Sequence, residues 1–310
     1  MNKQTLGFAV LGCIATACAA TGGAGSGAQT APSSESKHQI VIARPFAVGQ
    51  RVRVEVNASE DADAVATKNR TEELEIDGLT DDRKVTLRGT FDVQAVDEAG
   101  RVLRVAFHVE HFFDELAKRA ILPQGTLLMA SRESGNLVAL VNGQPPAADV
   151  ADWLQLTFPV GRPGGALVSD ALGTSSPKAV GESWEISKEK AASDLVDDGY
   201  QSTETSVAGK VTLVGVASCG SGECLELAGE LQVEQAKVSD SWGVAGIELG
   251  KVAGKARMLL PVDTNRPVFL EDSQSTGTFV VDLRANQSGN SAQAEVSVKR
   301  RRVATYALIQ

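Results

Sequence analysis

One six-residue stretch occurs twice in the chain. Lys84-Val85-Thr86-Leu87-Arg88-Gly89 returns as Lys210-Val211-Thr212-Leu213-Val214-Gly215. Upstream of each copy lies a second matched pair, Val48-Gly49-Gln50-Arg51-Val52 and Val180-Gly181-Glu182-Ser183-Trp184. A repeat of roughly 130 residues is too long for a solenoid unit. The chain therefore reads as a duplicated β-meander.

Period-two alternation supports this. Lys84 to Val96 and Arg101 to Phe112 make a hairpin around Asp97-Glu98-Ala99-Gly100. Leu103, Val105, Phe107, Val109 and Phe113 are expected on one face, with Arg104, His108 and Glu110 on the other and His111 turned away from them. Asn57 to Lys68 reads as a polar loop, Thr71 to Ile76 as a strand, and 113–120 as a short helical piece. Val150, Trp153 and Leu154 fall at helical spacing and predict a short amphipathic helix over 147–156. The second copy repeats the order, with strands at Val180 to Lys188 and Tyr200 to Val207, then a hairpin and a Gly-rich piece from Trp242 to Gly254.

The expected fold is mainly β: two tandem β-meander repeats forming curved antiparallel sheets, half-barrel-like, with one or two short helices. The expected layout is a signal at 1–18, a tether at 19–37, repeat one at 38–158, a linker at 159–177, and repeat two at 178–310. A final hairpin, absent from copy one, is expected to close or cover an edge.

The first twenty residues read as an export signal. Lys3 supplies the positive end and Leu6 to Ala17 the apolar stretch. Cys18, after Ala15-Thr16-Ala17 and before Ala19, resembles the lipid-attachment site of bacterial lipoproteins. Cys13 and ordinary cleavage at Ala17-Cys18-Ala19 are the alternatives. The Gly-, Ser- and Ala-rich residues that follow suit a tether, which would let a folded domain stand off a membrane. No later run approaches the roughly 18 apolar residues of a helical span. Formal charge is −9, which argues against nucleic acid as a partner.

The Val180-Gly181-Glu182-Ser183-Trp184 opening, with its weaker counterpart at Val48 to Val52, resembles that of an uncharacterised group of secreted bacterial β proteins with duplicated meanders. More loosely, a lipoprotein signal followed by meandering strands and a helix is similar to the half-barrel folds that carry lipoproteins or lipids in the bacterial envelope. The resemblance implies an envelope location, with Ala19 after Cys18 compatible with the outer membrane of a Gram-negative host. It brings no catalytic residues.

Few residues invite chemistry. Cys219 and Cys224 bracket Gly220 to Glu223 at a hairpin tip and, in an oxidising compartment, should form a disulfide. His108-Val109-Glu110-His111 lacks the helical spacing of a metal motif and could converge on a strand only with a bulge. Ser-x-x-Lys occurs at Ser34/Lys37, Ser175/Lys178 and Ser187/Lys190, without the partner motifs of penicillin-recognising enzymes. Lys299-Arg300-Arg301-Arg302 is expected to divide two and two between strand faces as a charged edge, or else to contact an anionic surface. Trp153, Trp184 and Trp242 are candidate core anchors or the lining of an apolar pocket.

These residues supply no metal or cofactor site and no catalytic set. The expected function is a non-enzymatic, exported, lipid-anchored module that binds an apolar ligand or an envelope component. A purely structural or interaction module is the alternative.

Overall fold

The computed structural model describes residues 36–42, 44–66, 82–98, 100, 102–133, 136–158, 170–197, 200–201, 206–220, 222–238, 246–247, 250–283 and 292–309. The signal with Cys18, residues 19–35 of the tether, the strand expected at Thr71 to Ile76, most of the linker and Trp242 lie outside them.

Copy one comprises β1 (Lys37–His38), β2 (Arg51–Ala66), β3 (Arg83–Val96), β4 (Val102–Asp114), β5 (Arg119–Leu122), β6 (Leu127–Glu133), β7 (Asn136–Val141) and the helix α1 (Ala148–Thr157). After a 3-10 turn at Asp170–Leu172, copy two comprises β8 (Lys178–Ala179), β9 (Ser183–Glu185), α2 (Lys188–Asp197), β10 (Tyr200–Gln201), β11 (Val207–Cys219), β12 (Gly222–Val238), β13 (Gly246–Ile247), β14 (Gly250–Pro261), β15 (Leu270–Leu283) and β16 (Ala292–Ile309). Apart from β1 and β8, which pair with each other, all strands join one curved antiparallel sheet. Its main path runs β7-β6-β4-β3-β2-β16-β15-β14-β12-β11-β9. The fold class agrees with the sequence.

The last strand does not cover an edge. β16 lies mid-sheet, bonded along its length to β15 of copy two and to β2 of copy one. It converts two meanders into a single sheet.

The two Val-Gly turns are structurally equivalent. Gly49 and Gly181 adopt φ +88° and +87°, where a side chain would be strained. Gly49 N donates to Val93 O (2.9 Å) and Gly181 N to Leu213 O (2.7 Å). Each turn is closed by the next side chain, with Ala47 N bonded to Gln50 Oε1 (3.0 Å) and Ala179 N to Glu182 Oε2 (2.7 Å).

This equivalence corrects the alignment of the Lys-Val-Thr-Leu stretches. Val52 pairs with Phe91, whereas Trp184 pairs with Val211, so Val211 corresponds to Phe91 and not to Val85. Val85 and Val211 instead occupy one hydrogen-bonded row, through Ala58, Arg302, Ser273, Ala256 and Gly229. The copies are thus staggered by about one residue per strand, which at ~3.3 Å rise and ~4.8 Å strand spacing gives a tilt of about 35°, as in barrels. An even offset keeps every side chain on its face. That is why the false match looked sound.

Several local expectations also change. β2 continues to Ala66 through the expected loop, because Ala58, Glu60, Ala62 and Ala64 point inward and alternate with polar residues. Residues 115–118 form a turn followed by β5, not a helix. The strand expected at Val180 to Lys188 is only β9, because Ser187 starts α2: its Oγ accepts from Lys190 N (3.4 Å) and its carbonyl from Ala191 N (2.9 Å). Bulges in β4 at Glu110 and near Leu103 turn Phe112 and Val102 inward in place of Phe113 and Leu103.

The core lies on the inner face. It joins Val52, Leu87, Phe91, Phe107, Leu213, Leu227 and Phe279 of the sheet to Val150, Trp153 and Leu154 of α1, Leu172, and Ala191 of α2. Residues 39–42 and 44–50 follow β1, which pairs with β8, and form a strap past the β14–β15 loop to the first Val-Gly turn along one rim. Ile40, Ile42 and Phe46 bury into the core from it, and Arg44 donates to Pro261 O (2.9 Å) and Asp263 O (3.1 Å).

Candidate functional site: an ionic seam inside the sheet

Charged residues cross the middle of this apolar face in one row. Register places Arg83, Glu60, Arg300, Ser275 and Gly254 side by side on β3, β2, β16, β15 and β14. Arg300 Nε donates to Glu60 Oε2, while Arg83 Nε stands 4.0 Å from Glu60 Oε1. The Arg83 guanidinium also lies over the Trp153 ring, 5.8 Å from its centroid. One row away, Arg302 donates to Glu271 Oε2 (3.0 Å) and to the Tyr306 hydroxyl (3.1 Å), and Ser273 Oγ donates to Arg302 O (2.8 Å). Burial alone would lower the Arg302 pKa; Tyr306 and Glu271 reverse this and raise it. Glu60, Glu271 and Arg300 are each under 10% exposed.

The basic run is therefore not an edge. Arg300 and Arg302 face the core and are ion-paired, while Lys299 and Arg301 face outward, Arg301 bonded to Asp272 (2.9 Å). Alternation split the four two and two as expected. What the sequence did not disclose is that β16 is central, with Glu60 and Glu271 on its two neighbours. A lone inward Glu60 among Ala58, Ala62 and Ala64 was the available clue.

Asp152, beside Trp153 on α1, extends this electrostatic group. Burial pushes its carboxyl up to about 6; Arg83 opposes this, and Asp149 and Glu60 add to it. A carboxyl raised in the folded state leaves stability undiminished below its unfolded pKa and penalises folding as pH rises to about 6 and beyond. Asp152→Asn removes that penalty. At about 1.4 kcal/mol per pKa unit, discounted for partial solvent access, the variant should be more stable than the parent by about 1–2 kcal/mol at pH 8. Urea titrations at pH 4 and pH 8 check this, since the difference should vanish at the lower pH.

Trp153 and Trp184 both belong to the inner core, and Trp184 Nε1 donates to Leu172 O (3.0 Å). Cys219 and Cys224 are bonded, with Cα atoms 5.8 Å apart. They sit diagonally rather than opposite, because Cys219 pairs with Gly222 and Cys224 with Ala217 across a two-residue turn. So short a loop stabilises by about 2 kcal/mol. With Leu259, Phe269 and Leu270 they form a second small core.

The outer face is wet. Cross-strand pairs cover it: Arg53–Glu110 (2.9 Å), Lys251–Glu234 (2.7 Å), Lys255–Glu230 (3.2 Å) and Arg257–Glu226 (2.6 Å). Arg51, bonded to Asp92 at 2.6 Å, holds that carboxyl below its ordinary range. Each pair contributes about 0–1 kcal/mol at most, but such a face cannot turn toward lipid hydrocarbon. The bulge at Glu110 brings His111 to this face beside His108 and Glu110, yet the three do not converge. His108 meets Asp92 (3.2 Å), Glu110 meets Arg53, and His111 stacks on Phe113. Among the described residues no group of three His, Cys, Asp or Glu could hold a metal ion.

No family model and no curated protein matches the chain. Among solved structures it has been compared with OmpTdeltaL8, a loop L8 deletion mutant of OmpT, an outer membrane protein of Vibrio cholerae. That comparison covers 83% of this chain and 99% of the other at 8% identity, and its TM-score of 0.11 carries no argument.

Proposed function

We propose that the protein is a non-enzymatic, exported module of the bacterial envelope, lipid-anchored at Cys18, that holds an apolar ligand against the inner face of its sheet. One observation carries the reading: the two faces of the sheet are sharply divided. The outer is a lattice of ion pairs, while the inner is a wall of Val, Leu and Phe, crossed by the ionic seam and covered by short helices and a strap rather than a second sheet. The side chains of the seam are bonded to one another and activate no nucleophile. They suit fixing a register more than performing a reaction.

Native mass spectrometry of protein taken from its own membrane fraction tests both parts. Expected are a diacylglyceryl mass on Cys18 and an apolar small molecule that leaves on denaturation. A species beginning near Ala20 without an adduct overturns the anchor. Acylated protein without a ligand overturns carriage and favours an interaction module, for which the terminal strands β7 and β9 supply backbone edges.

A further inference from the structure

The exposed apolar side chains are not scattered. Because the strands alternate in direction, β2, β4, β7, β9, β12 and β15 begin at the rim where β3, β6, β11, β14 and β16 end. Eight large apolar side chains are exposed among the described residues, and six belong to this rim. Val48 and Val180 occupy the two equivalent turns, Val262 follows β14, and Ile309 ends β16; Leu103 and Val138 lie just inside, while Val214 is in the middle of β11. Leu116, in the turn after β4, is at the opposite rim. Isolated exposed apolar residues are ordinary on any surface, but their collection at one end is not.

The chain enters at the same place. Lys37 and His38 pair with Ala179 and Lys178, immediately before Val180, and the strap continues along this rim to Val48. Seventeen residues separate Cys18 from Ser36. A Gly-rich linker of that length spans about 20–25 Å on average. A domain held so closely presents the rim that carries its tether.

We propose that this apolar rim rests on the surface of the bilayer that holds the lipid anchor. The assignment depends on acylation of Cys18. Each contact is weak, but a short tether supplies an effective concentration of order millimolar, so a few shallow insertions suffice. The orientation leaves the charged outer face in water and directs the rim with Leu116 away from the membrane.

The test uses the full chain, exported and acylated by its host, in vesicles of phosphatidylethanolamine and phosphatidylglycerol. Val48→Cys, Val262→Cys and Leu116→Cys each carry an environment-sensitive dye; Cys219 and Cys224 are bonded, Cys18 is acylated and Cys13 leaves with the signal cut before Cys18, so the new thiol is unique. Spin-labelled lipid should quench dyes at positions 48 and 262 at least twofold more than at 116, with a blue-shifted emission. Equal quenching at all three positions in protein whose mass includes the diacylglyceryl group overturns the rim assignment alone. Absence of that mass overturns the anchor, and the rim assignment with it.

Discussion

Replacing Glu60 by leucine should lower the free energy of unfolding by about 3–5 kcal/mol, the usual loss when one partner of a buried ion pair is removed. Glu60 is the carboxylate that Arg300 bonds and Arg83 approaches, and its removal would deprive both the buried Arg300 and the half-buried Arg83 of it. Asp152 can offset part of the charge on Arg83 but comes from the helix side. The corresponding fall in midpoint is about 10 °C or more for a chain of this size. The double variant Glu60→Leu, Arg300→Met should recover to within about 1 kcal/mol of the parent, or exceed it, because two desolvated charges give way to apolar volume. Urea unfolding of parent, both single variants and the double variant gives the coupling directly. A single variant within 1 kcal/mol of the parent would mean that water reaches the seam.

The asymmetry between single and double variants states what the seam is for. It adds little net stability over an apolar core but specifies one pairing. Slipping β16 by two residues would keep every side chain on its face but bring Val298 or Ala304 to one of the two arginine places, leaving Glu60 or Glu271 without its partner. The strand that joins the repeats is thereby locked to both neighbours.

Phe279→Ala should cost about 3–5 kcal/mol, the range for removing a buried aromatic ring. The ring is 1% exposed and lies over two glycines. A Cβ built on Gly277 would stand 2.6 Å from Phe279 Cε2, with every near atom belonging to that ring. Gly277→Ala alone should therefore cost about 1–3 kcal/mol through overpacking. In the Phe279→Ala background the same change should be nearly free, so the pair should fall short of additivity by at least 1 kcal/mol. Gly250 serves as the internal control. Its Cβ would also meet Thr278 O at 2.6 Å, and backbone does not move aside when the ring is removed. Gly250→Ala should remain costly in both backgrounds, as thermal unfolding of the set would show.

Much of the fold was legible. Alternation identified most strands, the Val-Gly openings identified the duplication, and Val150, Trp153 and Leu154 identified α1. What escaped were interruptions of the period: the bulge at Glu110, which no residue type announces, and the continuation of β2 through Glu60, whose charge reads as solvent. The start of α2 was in the open as Ser187 before a run of helix formers, but competed with a strand pattern from Val180 onward. The candidate site was half legible. Spacing told that Arg300 and Arg302 share a face, while their partners lie 240 and 31 residues away in the chain.

The sequence by itself determined the class of fold, the repeat, the cysteine pair and the alternation of most strands, because all of these depend on side-chain period or on near neighbours in the chain. Tertiary structure alone decided that β16 sits between the copies, that the matched Lys-Val-Thr-Leu stretches are offset by an even step, and that Arg300 and Arg302 of the basic run enter a seam inside the sheet. Period-two alternation specifies which face a residue takes but is unchanged by a shift of two, four or six residues. The choice among those registers belongs to contacts between distant strands.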